Sequence, residues 1–144
     1  MHATIGTVQV LNERRKLEIA SIVDLLHKKG VPSNTLDKQE DSTKQKTPLH
    51  YCADTGNEIA AGVLLDVKPS PVNLMDGRKR TALYYACEHH SPNERMIQKL
   101  LEHGAVFGDI PIPEMRGKSR EGAKRLVKAE WERRAKAARR RRQN

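Results

Sequence analysis

Aromatic side chains are scarce: tryptophan, tyrosine and phenylalanine make up 3% of the chain, against 37% for hydrophobic residues as a whole. The core must then be leucine, isoleucine, valine and alanine, which suits close-packed helical hairpins better than an aromatic-rich β-sandwich. Cysteine is scarcer still, with only Cys52 and Cys87. Each lies beside an alanine, in Cys52-Ala53 and Ala86-Cys87, and both are expected to be reduced and buried in an intracellular protein. No apolar run is long enough for a secretory signal or a membrane span. The expected location is nucleus or cytoplasm, and no membrane partner is predicted.

Catalytic constellations are missing as well. The chain has no glycine-rich phosphate loop, no Cys-x-x-Cys, and no nucleophile accompanied by a base and an orienting group. Adjacent His89 and His90, with Cys87 and His103 nearby, lack a second ligand pair at metal spacing. No enzyme activity, metal or cofactor is expected.

What the sequence does contain is one helical hairpin written twice. Thr47-Pro48-Leu49-His50 opens an apolar run, and Thr81-Ala82-Leu83-Tyr84 opens another 34 residues later. The runs close on leucine pairs, Leu64-Leu65 and Leu100-Leu101. Thr47 offers a side-chain oxygen to the orphan amides of a helix start, and Pro48 sits where its missing N–H costs nothing. Gly56 suits the left-handed turn that ends a first helix. Ile59, Val63 and Leu64 supply the apolar stripe of a second. The later copy has no counterpart of Gly56. Its turn reads Glu88-His89-His90-Ser91-Pro92, where Ser91 and Glu94 make a capping box with Pro92 at the first helical position.

Self-similarity near a period of about 33, with a T-P-L-H opening, marks one repeat architecture. The chain resembles the ankyrin-repeat family over residues 47–104, and more loosely over 17–30. The resemblance implies an all-α fold: a short ankyrin-repeat solenoid of stacked helix-turn-helix units, with finger-like loops between them. It implies that His50 hydrogen-bonds back toward Thr47 and ties one repeat to the next. It also places Val72-Asn73 and Asp76 on the way into a finger. Lys79 stands where the family usually has a glycine, so Gly77 is expected to make the finger turn.

The flanks follow the same reading. Val10, Leu11, Leu17, Ile19, Ile22, Val23, Leu25 and Leu26 recur at helical spacing and predict one long helix or a helix pair ending at Gly30. Residues 1–30 thus form an amino-terminal capping helix or divergent repeat. Residues 31–46 are a polar loop, either an enlarged finger or a mobile segment, with 38–44 the most mobile part. Repeats occupy 47–80 and 81–108. Ile110-Pro111-Ile112-Pro113 marks an extended linker over 109–118, because proline disfavours helix in the residue before it. Residues 119–144 are a carboxy-terminal capping helix and basic tail, with Ala123, Leu126, Val127, Trp131 and Ala135 along one face.

Charge is divided unevenly. The net charge is +9, of which residues 116–144 carry +10 and residues 1–115 carry −1. The segment from Arg133 has too little apolar surface to pack and is expected to protrude as a basic helix.

The resemblance implies a non-catalytic protein–protein interaction module, a scaffold or adaptor that binds another protein on its concave side. The matching positions are Gly77, Arg78 and Arg80 on a finger, with Asp54, Thr55, Glu88 and His89 on inner helices. A different reading assigns Arg133, Arg134, Lys136, Arg139, Arg140, Arg141 and Arg142 to a nucleic acid, a ribonucleoprotein or another acidic surface, or to nuclear import. Two clear repeats are fewer than the three or so a stable stack requires. Either the flanking helices are obligatory caps, or the chain is a piece of a longer repeat protein.

Overall fold

The computed structural model describes residues 2–30, 42–66, 72–89, 92–107 and 117–143. Its helices are α1 (His2–Lys28), α2 (Pro48–Thr55), α3 (Glu58–Leu65), α4 (Ala82–Glu88), α5 (Glu94–Glu102) and α6 (Glu121–Gln143). Short 3-10 turns stand at Ser42–Lys44 and Lys118–Arg120. No strand occurs among the described residues, so the fold is all-α as the sequence predicts.

Helices α2 and α3 form one hairpin, α4 and α5 the next, and the two stack with α2 on α4 and α3 on α5. Helix α1 extends the outer row on the α3 side and α6 extends it on the α5 side. The repeat helices have only 8, 8, 7 and 9 residues. Isolated helices shorter than about 12–15 residues are marginal in water. Stacking is therefore what holds them. Leu49, Leu64, Leu83 and Leu100 are at most 2% exposed and share one core with Leu65, Met96 and Ile97. Each such burial is worth about 1.5–3 kcal/mol.

The turns explain where the copies diverge. Gly56 takes the left-handed conformation, with φ 71°, and Asn57 N–H closes the end of α2 by donating to the Cys52 carbonyl at 2.9 Å. Asn57 then caps α3, its Oδ1 accepting from Ala60 N–H at 3.1 Å. In the second copy Asn93, rather than the expected Ser91, is the cap. Its Oδ1 accepts from Arg95 and Met96 N–H at 3.0 and 3.3 Å. The physical reason is that Asn93 is anchored twice: its Nδ2 also donates to Glu58 Oε2 at 2.8 Å and to the Gly56 carbonyl at 3.3 Å in the preceding hairpin. Ser91 itself lies outside the described residues. The offset between copies is thus 34 at Leu49 and Leu83 but 36 at Leu64 and Leu100, a two-residue lengthening of the turn.

The outer faces differ from expectation in three places. Helix α3 buries Ala60, Ala61, Leu64 and Leu65, while Ile59 and Val63 are only partly covered, because α3 is flanked by α1, α2 and α5. Helix α1 is one continuous helix rather than a pair, and Gly30 beyond it has φ 83°. It packs through Ala20 and half-buried Val23, leaving Leu11, Leu17, Ile19, Ile22, Leu25 and Leu26 exposed. In α6, Ala123 and Val127 are buried and Leu126 and Trp131 pack against the core, but Ala135 is exposed. Trp131 meets Phe107 with ring centroids 5.6 Å apart, the last large apolar contact before the helix leaves the body.

The expected mobile segment 38–44 lies partly outside the described residues, and its end is the 3-10 turn Ser42–Lys44. The extended linker at Ile110-Pro111-Ile112-Pro113 lies wholly outside them.

Candidate partner-binding face

The finger between the hairpins is organised by one buried carboxylate. Asp76 Oδ1 accepts from Arg78 N–H at 2.9 Å and Arg80 N–H at 2.8 Å, and its Oδ2 accepts a short hydrogen bond from the Tyr85 hydroxyl. Burial, together with that bond to Asp76, pushes the Tyr85 phenol well above its usual range, so it stays a donor at neutral pH. The turn itself corrects the expectation for Gly77. Lys79 adopts the left-handed conformation, with φ 63°, where its N–H donates to the Asp76 carbonyl at 3.0 Å. Gly77 serves close approach instead: its N–H donates to the Gln45 carbonyl at 3.0 Å, and a Cβ there would lie 1.8 Å from the Ser42 carbonyl oxygen.

His50 locks this finger to the hairpin before it. Thr47 N–H donates to His50 Nδ1 at 3.1 Å, the Thr47 hydroxyl lies 2.7 Å from the same nitrogen, and Nε2 is 2.9 Å from the Arg80 carbonyl oxygen. An accepting Nδ1 leaves the proton on Nε2, so the ring is a neutral bridge between repeats. Burial pushes its pKa down, which favours that neutral form. The next joint uses other groups. Thr81 Oγ1 donates to the Val106 carbonyl at 2.6 Å, and Asn73 pairs with Gly104 and Val106 through Nδ2 at 3.1 Å and Oδ1 at 2.9 Å.

On the exposed side of α2 and α4 the 34-residue period recurs in charge. Lys46 Nζ lies 3.1 Å from Asp54 Oδ2, and Arg80 Nη1 lies 3.7 Å from Glu88 Oε2. Each pair spans eight residues, and one is the other advanced by one repeat. The cations also sit over rings: Lys46 is 4.4 Å from the Tyr85 centroid, and Arg80 is 4.6 Å from that of Tyr84. Two hollows open along this row. One, of about 280 Å³, is lined by Thr43, Lys44, Lys46, Tyr51, Arg78 and Tyr85. Its neighbour, of about 310 Å³, is lined by Asp54, Tyr85, Glu88 and His89. Tyr85 is the wall they share; among the described residues Lys44, Lys46 and Arg78 line one side and Asp54 and Glu88 the other.

A family model described as ankyrin repeats (3 copies) matches residues 15–110. The chain belongs to the ankyrin-repeat family. Ankyrin repeats generally mediate protein–protein interaction, and the family is typically non-catalytic. No curated protein and no solved structure matches the chain.

Within this ankyrin array the residues singled out from sequence occupy distinct places. Asp54, Glu88 and His89 converge on the second hollow, and Arg78 lines the first. Gly77 packs against the Ser42–Thr43 backbone, and Arg80 meets the second hollow only through its pair with Glu88. Thr55 turns its hydroxyl back onto its own helix, donating to the Tyr51 carbonyl at 2.8 Å. Sequence reasoning missed Thr43, Lys44, Lys46, Tyr51 and Tyr85. Applying the 34-residue offset to Tyr51 and Tyr85, and to Lys46 and Arg80, would have found four of the residues on this face.

The basic tail divides in two. Arg134 belongs to the body: its Nη1 donates to the Ala105 carbonyl at 2.9 Å, Nη2 to that of Leu101 at 3.2 Å, and Nε to Glu130 Oε1 at 2.8 Å. Arg133 grips the same Glu130 with two bonds, at 2.9 and 2.6 Å. Hydrogen bonds from Arg133, and then Arg134, hold the Glu130 carboxyl down at about 2. Lys136 and Arg139, Arg140, Arg141 and Arg142 are exposed on the last turns of α6.

Cys52 and Cys87 are free and buried, and burial pushes their thiols up to about 11 and about 12, so both are protonated at neutral pH. Among the described residues no three His, Cys, Asp or Glu side chains are placed to hold a metal, and no helix is long and apolar enough to cross a membrane.

Proposed function

We propose that this ankyrin chain is a non-catalytic scaffold or adaptor that seats a protein partner on the face formed by the 77–80 finger and the exposed positions of α2 and α4. The observation that supports it is a pair of adjoining hollows that share Tyr85, bordered by side chains already fixed by ion pairs, ring contacts and a buried Asp76. Binding to a pre-ordered surface loses little side-chain entropy. A photo-crosslinking residue at position 78 should capture the partner, and one at Gln98 on α5 should not. Capture from position 98 alone would reject this face.

A second reading concerns the last turns of α6. The helix continues to Gln143, its residues 133–143 contain no acidic side chain, and Lys136 and Arg139 to Arg142 are distributed around its whole circumference. A flat acidic surface meets one side of such a helix, whereas a nucleic-acid groove surrounds it with phosphates. The reading is an adaptor whose tail enters duplex nucleic acid or a ribonucleoprotein, or serves as a nuclear-import address. Removing residues 136–143 leaves Arg134 in place and separates these uses. Lost duplex binding with a shallower salt dependence supports direct contact; lost nuclear accumulation with duplex binding intact supports import.

A further inference from the structure

We infer that α1 carries a self-association surface, on which a second copy of this chain lays its own α1 antiparallel. The surface stands apart from the face of α2 and α4 and does not depend on what that face binds. Helix α1 has 27 residues and its neighbour α3 has 8, so α3 can seat only part of its length. Ala20 is buried, Val23 is half-buried and Lys16 Nζ lies 3.5 Å from Glu58 Oε2, while residues 9–15 are all exposed. Beyond this seat, Leu11, Ile19, Ile22, Leu25 and Leu26 are 46 to 56% exposed. Apolar surface gathered in this way on a folded chain marks an interaction site.

The side turned away from α3 is patterned. At about 100° per residue, Leu11, Arg15, Glu18, Ile22 and Leu25 all fall within about 40° of the line opposite Ala20. Their spacings of four, three, four and three are the a/d alternation of a coiled-coil seam, and Ile19 and Leu26 widen it on one flank. The pattern is its own complement in one arrangement. Leu11 and Ile22, and likewise Arg15 and Glu18, are symmetric about the midpoint between Lys16 and Leu17. An antiparallel copy therefore brings Leu11 against the partner's Ile22 and Arg15 against the partner's Glu18, and the two-fold axis repeats both contacts. The Arg14 ion pair uses only Oε1 of Glu18, at 3.4 Å between exposed side chains, which leaves Oε2 to accept from the partner's Arg15. In-register parallel pairing would instead stack Arg15 on the partner's Arg15. Sliding the antiparallel copy by one heptad would set Arg15 on the partner's Leu11 or the partner's Leu25. Only the mirrored register matches apolar with apolar and cation with anion. A polar layer in such a seam specifies register at a cost in stability, so the pair is a weak, concentration-dependent dimer.

The full chain tests this in solution. Sedimentation equilibrium from about 5 to about 500 μM should show monomer passing to dimer, and unfolding followed at the lower end reads the monomer. Arg15→Glu sets like charges together in both central layers, as does Glu18→Arg, so each should raise the dissociation constant at least about tenfold. Combining the two reversals should bring it back to within about threefold of wild type, which a folding defect would not do. Arg95→Glu on α5 should leave it unchanged. For orientation, Leu11→Cys mixed with Ile22→Cys should form a disulfide-linked dimer on oxidation, and Leu11→Cys alone should not. A chain that stays monomeric over the whole range overturns the proposal, and would mean that another segment covers α1. A dimer indifferent to the two charge reversals, or one in which Leu11→Cys links to itself, overturns it equally.

Discussion

His50 Nε2 and the carbonyl oxygen of Arg80 lie 2.9 Å apart, and this one hydrogen bond fastens the first hairpin to the finger that leads into the second. The same ring accepts from Thr47 N–H, so replacing it with alanine orphans a donor and an acceptor at once. Leaving such groups buried without partners costs about 1–3 kcal/mol each. We expect His50→Ala to lower unfolding stability by at least about 2 kcal/mol in urea titrations. His50→Asn and His50→Gln should recover part of the loss.

The same residue sets a pH limit. Burial lowers the His50 pKa below its usual value near 6.5, so the folded state resists a proton that the unfolded chain accepts. Its contribution is complete above pH about 6.5 and declines as pH falls through that value toward the folded pKa. Denaturant unfolding of wild type between pH 8 and pH 5 should show this fall, and His50→Gln should flatten it. Equal slopes for the two proteins would remove His50 as the cause.

The hairpins were legible because their signals are local. Thr47, Pro48, Leu49 and Gly56 act within their own turn, and the leucine pairs repeat at helical spacing. The cap at Asn93 was not legible from Ser91, Pro92 and Glu94, because what selects it is a pair of hydrogen bonds to Gly56 and Glu58, more than 30 residues earlier. The same distinction governs the face. Arg78, Glu88 and His89 could be placed by the repeat pattern. The hollow beside Arg78 depends on the Ser42–Lys44 turn folding against Gly77, a contact between segments with no repeat signature. In α6 composition alone grouped Arg134 with the tail, since the carbonyls of Leu101 and Ala105 that claim it are a tertiary matter.

Gly77 and Lys79 should respond to substitution in opposite senses. An added Cβ at position 77 meets backbone atoms of Ser42 and Thr43 at 1.8 to 2.8 Å, so Gly77→Ala must displace the 3-10 turn. Overpacking of this kind costs about 1–3 kcal/mol. At Lys79, φ 63° is a conformation that glycine adopts freely and lysine does not. Lys79→Gly should therefore gain about 0.5–1 kcal/mol, less than the full left-handed penalty because glycine loses more freedom on folding. Thermal unfolding of the two single variants tests both signs.

Helix α6 should detach in acid before the hairpins unfold. Glu130 is held at about 2, against a usual 4.5, by hydrogen bonds from Arg133 and Arg134, and Arg134 in turn closes the end of α5. A depressed carboxyl contributes fully above pH about 4.5 and loses its contribution as pH falls toward 2. Trp131 fluorescence, followed from pH 5 to pH 2, should report the change, since that ring sits between Phe107 and Arg134. Glu130→Gln should remove the transition. Arg134→Ala should cost about 1.5–3 kcal/mol through the charge-assisted bonds it loses.

Helix α1 buries Ala20 in the stack and leaves large apolar side chains exposed elsewhere on its surface. Ala20 is 6% exposed against the row that α3 leads, whereas Ile22 and Leu25 are 56% and 55% exposed. Removing apolar groups that are more than half exposed forfeits little burial, and surface substitutions usually stay within about 0.5 kcal/mol. We expect the double variant Ile22→Gln and Leu25→Gln to keep wild-type stability in urea and to stay soluble at higher concentration. Ala20→Gln should instead cost about 1–3 kcal/mol, because a longer polar side chain must enter the contact with α3. A reversed order, with the double variant the less stable, would mean that α1 is seated through its other face.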